Sequence, residues 1–309
     1  MRNSELLTSF SSEWINFSNY ELKETDKGEV YICPTKDATI NIYKAFNVMN
    51  EMLPEILNIG RLIGEEASKK VDDSARINAL ILVFVRKYGL LGAMNYFPYN
   101  EDFLNQNKVY LPDENPISPK AVLSANDYIR LFLPFATEDD FEINIQKGTT
   151  LINYKQEVPI TMFIKRDMRF DIAFSKFYCE KLEWFKNYAS QIYAYFYFIN
   201  RYYETDDIDL KAIHQKAVSA FIAKGMKFGL TLFETPKIEW DFNSLIATID
   251  TIFGFMVSGD DCPIRACKHD SVVFYAKNPK AAFCSTACRN QYNVYKTRAK
   301  KDELENSAD

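Results

Sequence analysis

The sequence predicts a mainly α-helical protein: one large helical domain, a small β insertion and a C-terminal metal-binding module. Three observations lead to this prediction. Apolar residues make up 47% of the 309 residues, which is enough for a large core. Glycine occurs only 10 times, and long stretches repeat apolar residues at intervals of three and four, as buried helix faces do. Four of the six cysteines lie close together near the C-terminus.

The chain divides into three parts by composition. We expect residues 1–258 to form a helical domain and residues 259–301 to form a metal module that includes a basic helix. Residues 302–309 are rich in acids and are expected to be a disordered tail. The junction around residues 258–261 is very short, so the module should dock on the large domain rather than swing freely.

The N-terminal part is expected to be mixed, with one short strand followed by helices. Glu29–Cys33 has β-like composition and follows a glycine. Apolar residues at helical spacing then predict a helix over residues 38–52, and Pro54 opens a second helix. A third helix is predicted over residues 75–87, with Gly89 just after its C-terminus.

The middle of the chain supplies the predicted β insertion, over about residues 141–163. Ser124 resembles the N-cap residue of a short helix, which is expected to lie just before the β insertion. Phe141–Ile145 and Thr149–Tyr154 each alternate apolar and polar residues around a Lys-Gly turn, which predicts a β-hairpin. Ile160–Phe163 is expected to add a third short strand.

Two long helical segments are predicted in the second half of the large domain. Residues 171–203 carry aromatic residues at spacings of three and four, which suit either an aromatic box for a flat cofactor or a core seam. The core seam is favoured because no phosphate loop or cofactor motif accompanies these residues. Residues 211–225 predict a further helix, and Leu245–Met256 predict the last core helix before the module.

The cysteine cluster has the spacing of a structural zinc site. Cys262, Cys267, Cys284 and Cys288 follow the pattern C-x4-C, sixteen residues, C-x3-C. Two close pairs joined by a short loop supply the four thiolates of a closed tetrahedral site. About forty residues cannot bury enough apolar surface to fold alone, and zinc binding supplies on the order of 10 kcal/mol toward folding. We therefore expect a structural Zn²⁺ at these four cysteines.

Other interpretations of the cysteines are weaker. Two disulfides, or chance, are the alternatives, but the first residues show no apolar core of a signal peptide. No run approaches the roughly eighteen apolar residues of a membrane span. We expect a cytoplasmic protein with reduced thiols, no membrane contact and paired cysteines that bind metal. His269 is an alternative ligand, whereas Cys33 and Cys179 are isolated and are expected to be small buried hydrophobes.

The cysteine segment resembles a known family. The sequence F-Y-A-K-N-P-K-A-A-F-C-S-T-A-C-R-N (residues 274–290), followed by a basic helix, resembles the CGNR-type zinc finger of bacterial regulators. Those proteins carry C-x4-C, an aromatic loop, W-C-S-x-x-x-C-G-N-R and a basic tail. Phe283-Cys284-Ser285 stands at W-C-S and Cys288-Arg289-Asn290 at C-G-N-R, with one residue fewer between the cysteines and no glycine. Over about forty residues, the resemblance implies a bacterial cytoplasmic transcription regulator whose finger binds DNA.

Charge gives an independent argument for nucleic acid. Residues 262–301 contain nine basic residues against the single acid Asp270, a net charge of +8 in a chain of −5. Because the last eight residues hold four acids, residues 1–261 carry −9. A cationic patch confined to one module is the usual footprint of a phosphate-binding surface.

The predicted C-terminal helix arranges these charges. Arg289, Lys296 and Lys300 follow at spacings of seven and four, on one stripe, while Tyr292 and Tyr295 follow a neighbouring stripe that can pack back on the module. A solvated helix without a partner is the alternative, and the acidic tail could compete with phosphate. The residues expected to contact DNA are Arg289, Lys296, Arg298, Lys300 and Lys301.

No motif of catalysis is present, so we expect a protein that is not an enzyme. The chain has two histidines and none of the common zinc-protease, serine-hydrolase or P-loop patterns. The favoured hypothesis is a DNA-binding regulator whose helical domain senses a ligand or partner. The alternative is a zinc-stabilised interaction or homo-oligomerisation protein that does not bind DNA. An enzyme would require distant acids or His214 to converge in one pocket.

Overall fold

The computed structural model describes residues 13–70, 72–137, 141–146, 149–154, 172–232, 236–258, 262–278 and 280–306. The fold is mixed α/β, so the prediction of a mainly helical protein with one β insertion is wrong. The described part of the chain contains thirteen short strands, arranged as antiparallel pairs and one three-stranded sheet. None of the helices in these ranges combines enough length and apolar character to cross a membrane.

The N-terminal region is a set of strands rather than helices. Strand β1 pairs antiparallel with β4, and β3 is the middle strand between β2 and β9. The bounds are β1 Glu13–Phe17, β2 Tyr20–Glu24, β3 Val30–Pro34, β4 Ile40–Lys44 and β9 Glu180–Lys181. The expected strand at 29–33 is therefore present, but the four strands around it, β1, β2, β4 and β9, were not predicted.

The predicted helix over residues 38–52 is wrong in its first part. Strand β4 is followed by a 3₁₀ turn, Ala45–Val48, and the α-helix begins at Met49. Ile42 has the spacing of a helix face, but it lies opposite Ile15 in the β1–β4 ladder. Cross-strand packing decides the conformation here, because local propensity is weak compared with tertiary context.

The large domain, residues 1–258, is called the body below. Four longer helices form its centre. They are α1 Met49–Lys69, α2 Ser74–Tyr88, α6 Leu182–Glu204 and α8 Leu245–Val257. Each buries one apolar face in a common core, with Leu53, Phe84, Phe185 and Ile249 almost fully excluded from solvent. The aromatic seam of α6 therefore belongs largely to this core, as expected.

Helices α1 and α6 approach each other closely at Gly60. A Cβ atom at this position would lie 2.0 Å from the carbonyl oxygen of Ala189. Only hydrogen fits there, so the glycine sets the distance between the two helices.

A matched pair of alanine substitutions tests this close contact. Gly60→Ala is expected to lower the free energy of unfolding by roughly 3 kcal/mol, because backbone must move to admit the methyl group. Gly64 lies one turn later in α1, and a Cβ atom added there would meet nothing within 4 Å. Gly64→Ala is therefore expected to raise the free energy of unfolding by about 1 kcal/mol. Urea unfolding of both variants measures the difference. Equal effects would contradict the close approach of the helices.

Shorter elements connect these helices. They are α3 Ala93–Tyr96, α4 Phe103–Gln106, β5 Lys108–Tyr110, β6 Val122–Ser124, α5 Ala125–Arg130, β7 Phe141–Gln146, β8 Thr149–Tyr154 and α7 Ile208–Ser219. The predicted cap is present, since Ser124 Oγ accepts a hydrogen bond from the Asp127 amide at 3.0 Å. The β7–β8 hairpin is present as well, whereas the expected strand at 160–163 lies outside the described residues.

A second hairpin lies beyond α7 and was not predicted from the sequence. The helix expected over 211–225 ends at Ser219, and strands β10 (Met226–Leu232) and β11 (Pro236–Phe242) pair beyond Gly225. Apolar residues do alternate along β10, but Phe228, Leu230 and Leu232 are exposed. This period-two pattern predicts a strand, although the apolar side chains of these three residues do not face the core.

The C-terminal module is a hairpin followed by a long helix. Strands β12 (Ile264–Ala266) and β13 (Val273–Tyr275) pair antiparallel, and α9 runs over Thr286–Asn306. The expected disordered tail over 302–309 is therefore helical as far as Asn306, and residues 307–309 lie outside the described residues.

The module is attached to the body through α1. The Asn58 side chain donates to the Val273 carbonyl and accepts from the Val273 amide, both at 2.8 Å. Ile264 and Val273 are buried in the main core. The hairpin of the module is thus continuous with the interior of the body, in agreement with the short junction.

Candidate metal centre and basic helix

The first half of the candidate metal centre is the turn after β12. The Cys267 carbonyl accepts from the Ser271 amide, and the Cys267 amide donates to the Val272 carbonyl, each at 2.9 Å. Ser271 adopts a positive φ of 60°, which tightens the reversal. The turn brings the Asp270 carboxylate to the same side as the Cys267 thiol.

The second half is the start of α9. Ser285 Oγ accepts a hydrogen bond from the Cys288 amide at 3.1 Å and caps the helix N-terminus. Cys284 and Cys288 are four residues apart, and their sulfur atoms lie 3.4 Å from each other. One turn of chain therefore presents two thiols in one direction.

The two halves meet at a four-residue cluster. Cys267, Asp270, Cys284 and Cys288 place their ligand atoms within 4.8 Å of one another, close enough to bind a metal ion. Asp270 Oδ2 lies 3.2 Å from Cys288 Sγ and 4.0 Å from Cys284 Sγ. Thiolates bound to one tetrahedral ion at normal bond lengths lie about 3.8 Å apart, so these separations fit a single small cation.

Cys262 is the one predicted ligand that the structure places outside this group. Its sulfur lies 3.2 Å from the Ile264 carbonyl oxygen, and the side chain packs, partly buried, against the core. Burial raises the pKa of this thiol. The structure brings Asp270 to the cluster instead. The sequence does contain an indication of this, because Cys267 and Asp270 are separated by two residues, a spacing common between the two ligands of a zinc-binding pair.

The cluster pairs one carboxylate with three thiols. Burial, together with the neighbouring thiols of Cys288 and Cys267, raises the pKa of Cys284 to about 12. Burial also disfavours the charged form of Asp270, but hydrogen bonds from Cys267 and Cys288 outweigh it and lower the pKa of the carboxyl. A cation at this site would displace the thiol protons, so metal affinity rises with pH.

Aromatic contacts hold α9 against the turn after β12 that carries Cys267 and Asp270. The His269 ring stacks parallel on Tyr295, with centroids 5.8 Å apart, so the structure gives this histidine a packing role. Phe283 contacts Tyr292 with a centroid distance of 5.2 Å. The two tyrosines pack back on the module as their spacing predicted.

The predicted DNA-contact residues all lie on α9. Arg289, Lys296 and Arg298 are exposed, and none of the three makes an ion pair in the described part of the chain. By helical spacing, Arg289, Lys296 and Lys300 share one stripe, while Arg298 and Lys301 lie elsewhere on the helix. The acids Asp302, Glu303 and Glu305 follow in the same helix.

Three further residues singled out from the sequence lie in the body. The His214 ring of α7 lies at a tilt against the Phe198 ring of α6, with centroids 5.5 Å apart, so the structure gives this histidine a packing role. Cys33 and Cys179 are buried as expected, but they contact each other rather than being isolated.

The chain matches no family model, no curated protein and no solved structure. The resemblance to CGNR-type zinc fingers therefore rests on the motif residues alone and stays a prediction.

Proposed function

We propose that this protein is a DNA-binding regulator whose zinc module contacts the phosphate backbone and whose body binds a regulating ligand. The observation that carries the proposal is the row of cations on α9, of which Arg289 and Lys296 are exposed and make no ion pair within the described residues. The helix is held in place because Tyr295 stacks on His269, which directly precedes the candidate metal ligand Asp270. Metal binding would thus fix the orientation of the cations.

Zinc is the metal that this donor set favours. Three thiolates and one carboxylate at four convergent positions suit a tetrahedral, sulfur-preferring ion. All four positions are supplied by protein, so the ion is structural and holds the β12–β13 hairpin to the start of α9. The resemblance of residues 274–290 to CGNR-type zinc fingers implies the same structural role for the ion.

The dimensions of α9 suit a nucleic-acid duplex. A helix of 21 residues is about 31 Å long, and the B-DNA major groove, about 12 Å wide, admits one helix. Acids occupy the last turns, which confines the favourable contact to residues 286–301. We therefore expect affinity that comes from a few phosphate contacts and falls with salt.

The test is a salt series with the full-length, zinc-loaded protein and a labelled random duplex. The triple variant Arg289→Gln, Lys296→Gln, Lys300→Gln is expected to lower the slope of log affinity against log salt by roughly three, since each phosphate contact contributes about one. The control is Lys36→Gln, Lys120→Gln, Lys216→Gln, which removes the same charge from exposed positions of the body. Equal slopes for the two triple variants would refute the assignment to α9.

The alternative function is a zinc-stabilised protein interaction. Val294 and Tyr295 leave 47% and 58% of their surface exposed on α9, which favours a protein partner or a second copy of the chain. Under this hypothesis the chain has a larger mass in solution that falls on chelation, and no duplex binds at low salt.

A further inference from the structure

A pocket lies in the body, away from the metal module. Its cavity of about 190 Å³ is bounded by helix α6, by the end of α3, by the segment 112–116, by the loop after α7 and by Asp250 of α8. Five aromatic residues line it: Tyr96, Phe97, Tyr188, Tyr195 and Phe221. The aromatic seam of α6 therefore serves two purposes, since part of it packs the core and part of it faces this pocket.

A buried carboxylate also lines the pocket. Asp250 of α8 is only 3% exposed and accepts hydrogen bonds from the hydroxyls of Tyr188, at 2.9 Å, and Tyr96. Burial raises the pKa of Asp250 to about 7, although the two tyrosine hydrogen bonds act in the opposite direction. Each carboxylate oxygen keeps a lone pair beyond the bond from its tyrosine.

No cation of the described chain neutralises Asp250. Lys224 lines the pocket, but its ammonium group lies over the Tyr99 ring, 5.3 Å from the centroid. Glu114 is the other charged residue of the lining. A buried carboxylate without a counter-ion is costly, and a ligand that supplies the opposite charge removes that cost.

The chemistry of the lining selects a class of ligand. Aromatic rings attract cations through their faces, and aromatic cages with a carboxylate bind ammonium groups better than neutral molecules of the same shape. We propose that this pocket binds a small organic ammonium ion, with Asp250 as its ionic partner and Tyr96, Tyr188 and Tyr195 as its aromatic wall. This names the ligand class of the body in the proposed function, and it does not depend on DNA binding.

Protonation of Asp250 competes with such a ligand. The other titratable groups that line the pocket are Tyr96, Tyr188, Tyr195, Glu114 and Lys224. Burial raises the pKa of Tyr96 and of Tyr188 well above the ordinary tyrosine value, so both stay protonated and keep donating to the carboxylate. Between pH 6 and pH 8 the charged fraction of Asp250 rises about tenfold, and ammonium affinity is expected to rise by the same factor.

The experiment is calorimetric titration of the full-length, zinc-loaded protein at pH 6 and pH 8. The probes are choline and n-butylammonium, which separate quaternary from primary ammonium chemistry, and 3,3-dimethylbutan-1-ol, the neutral analogue of choline. Binding of either cation, about tenfold tighter at pH 8 and at least tenfold tighter than the alcohol, is the expected result. Absence of heat with both cations, or equal affinity for the alcohol, overturns the proposal.

Two variants locate the binding. Asp250→Asn keeps the size of the side chain and is expected to abolish cation binding, while the exposed Asp209→Asn leaves it unchanged. If Asp250→Asn does not fold, Tyr195→Leu, which removes a ring at a partly exposed position, is expected to weaken choline binding at least fivefold. Unchanged affinity in every folded pocket variant also overturns the proposal.

Choline binding tests the pocket separately from DNA binding. The Arg289→Gln, Lys296→Gln, Lys300→Gln variant is expected to bind choline with wild-type affinity, because its changes lie on α9. Loss of choline binding in that variant would contradict the placement of the ligand in the body.

Discussion

Replacing Asp270 by alanine is expected to weaken metal binding about 100-fold or more, whereas replacing Cys262 by serine is expected to leave one metal ion bound per chain. Asp270 lies within 4.8 Å of the three clustered thiols, and Cys262 is turned toward the Ile264 carbonyl. Even changes to residues that only support metal ligands cost about 10-fold to 100-fold in affinity, so loss of a ligand costs at least as much.

Competition between the protein and a chromophoric chelator measures both affinities on full-length chains. Asp270→Cys is the informative companion, because it restores a fourth thiolate and should retain the ion. A Cys262→Ser chain that loses its metal, together with an Asp270→Ala chain that keeps it, would show that the four-cysteine site predicted from the sequence is the correct one.

The second large effect is expected at Glu180, in strand β9 just before α6. This carboxylate is fully buried and accepts hydrogen bonds from the Leu91 amide at 2.9 Å, the Ala93 amide at 2.8 Å and the Tyr178 hydroxyl at 2.6 Å. Burial raises its pKa despite these three donors. Glu180 therefore holds the turn after α2 against β9 with both of its oxygens.

Glu180→Gln is expected to lower the free energy of unfolding by about 3 kcal/mol, because glutamine has one acceptor oxygen and its NH₂ group would face a buried backbone N–H. Urea unfolding at neutral pH measures the loss. Glu183→Gln, an exposed change in the first turn of α6, is the control and should alter stability by less than about 0.5 kcal/mol. A Glu180→Gln protein as stable as the control would contradict this role.

The long helices could be predicted from the sequence, and the strands mostly could not. Helices α1, α2, α6 and α8 each repeat apolar residues over several turns, so their buried faces are visible locally. Strand β9 instead depends on β3, which lies about 150 residues earlier, and Glu180 lies opposite Ile32 in that ladder. A two-residue strand has no period of its own, and only its partner defines it.

The same limit applies to the candidate sites. Three thiols were found because cysteine is rare, while Asp270 was missed because acids are common and only the tight turn at Ser271 brings it to the cluster. Asp250 had a visible signal, since it stands alone among the apolar residues of α8. The tyrosines that meet it come from α3 and α6, and no local pattern indicates that contact.

The hydrogen bonds between Asn58 and Val273 set an order of events during synthesis. The two residues are 215 positions apart, so at 5–20 residues per second α1 leaves the ribosome roughly 10 to 40 s before its partner strand exists. During that interval the Asn58 side chain lacks its hydrogen-bond partner, and the apolar surface beside it is uncovered. Val273 can cover this part of the core only after the β12–β13 hairpin has been synthesised, and until then the surface is accessible to chaperones and proteases.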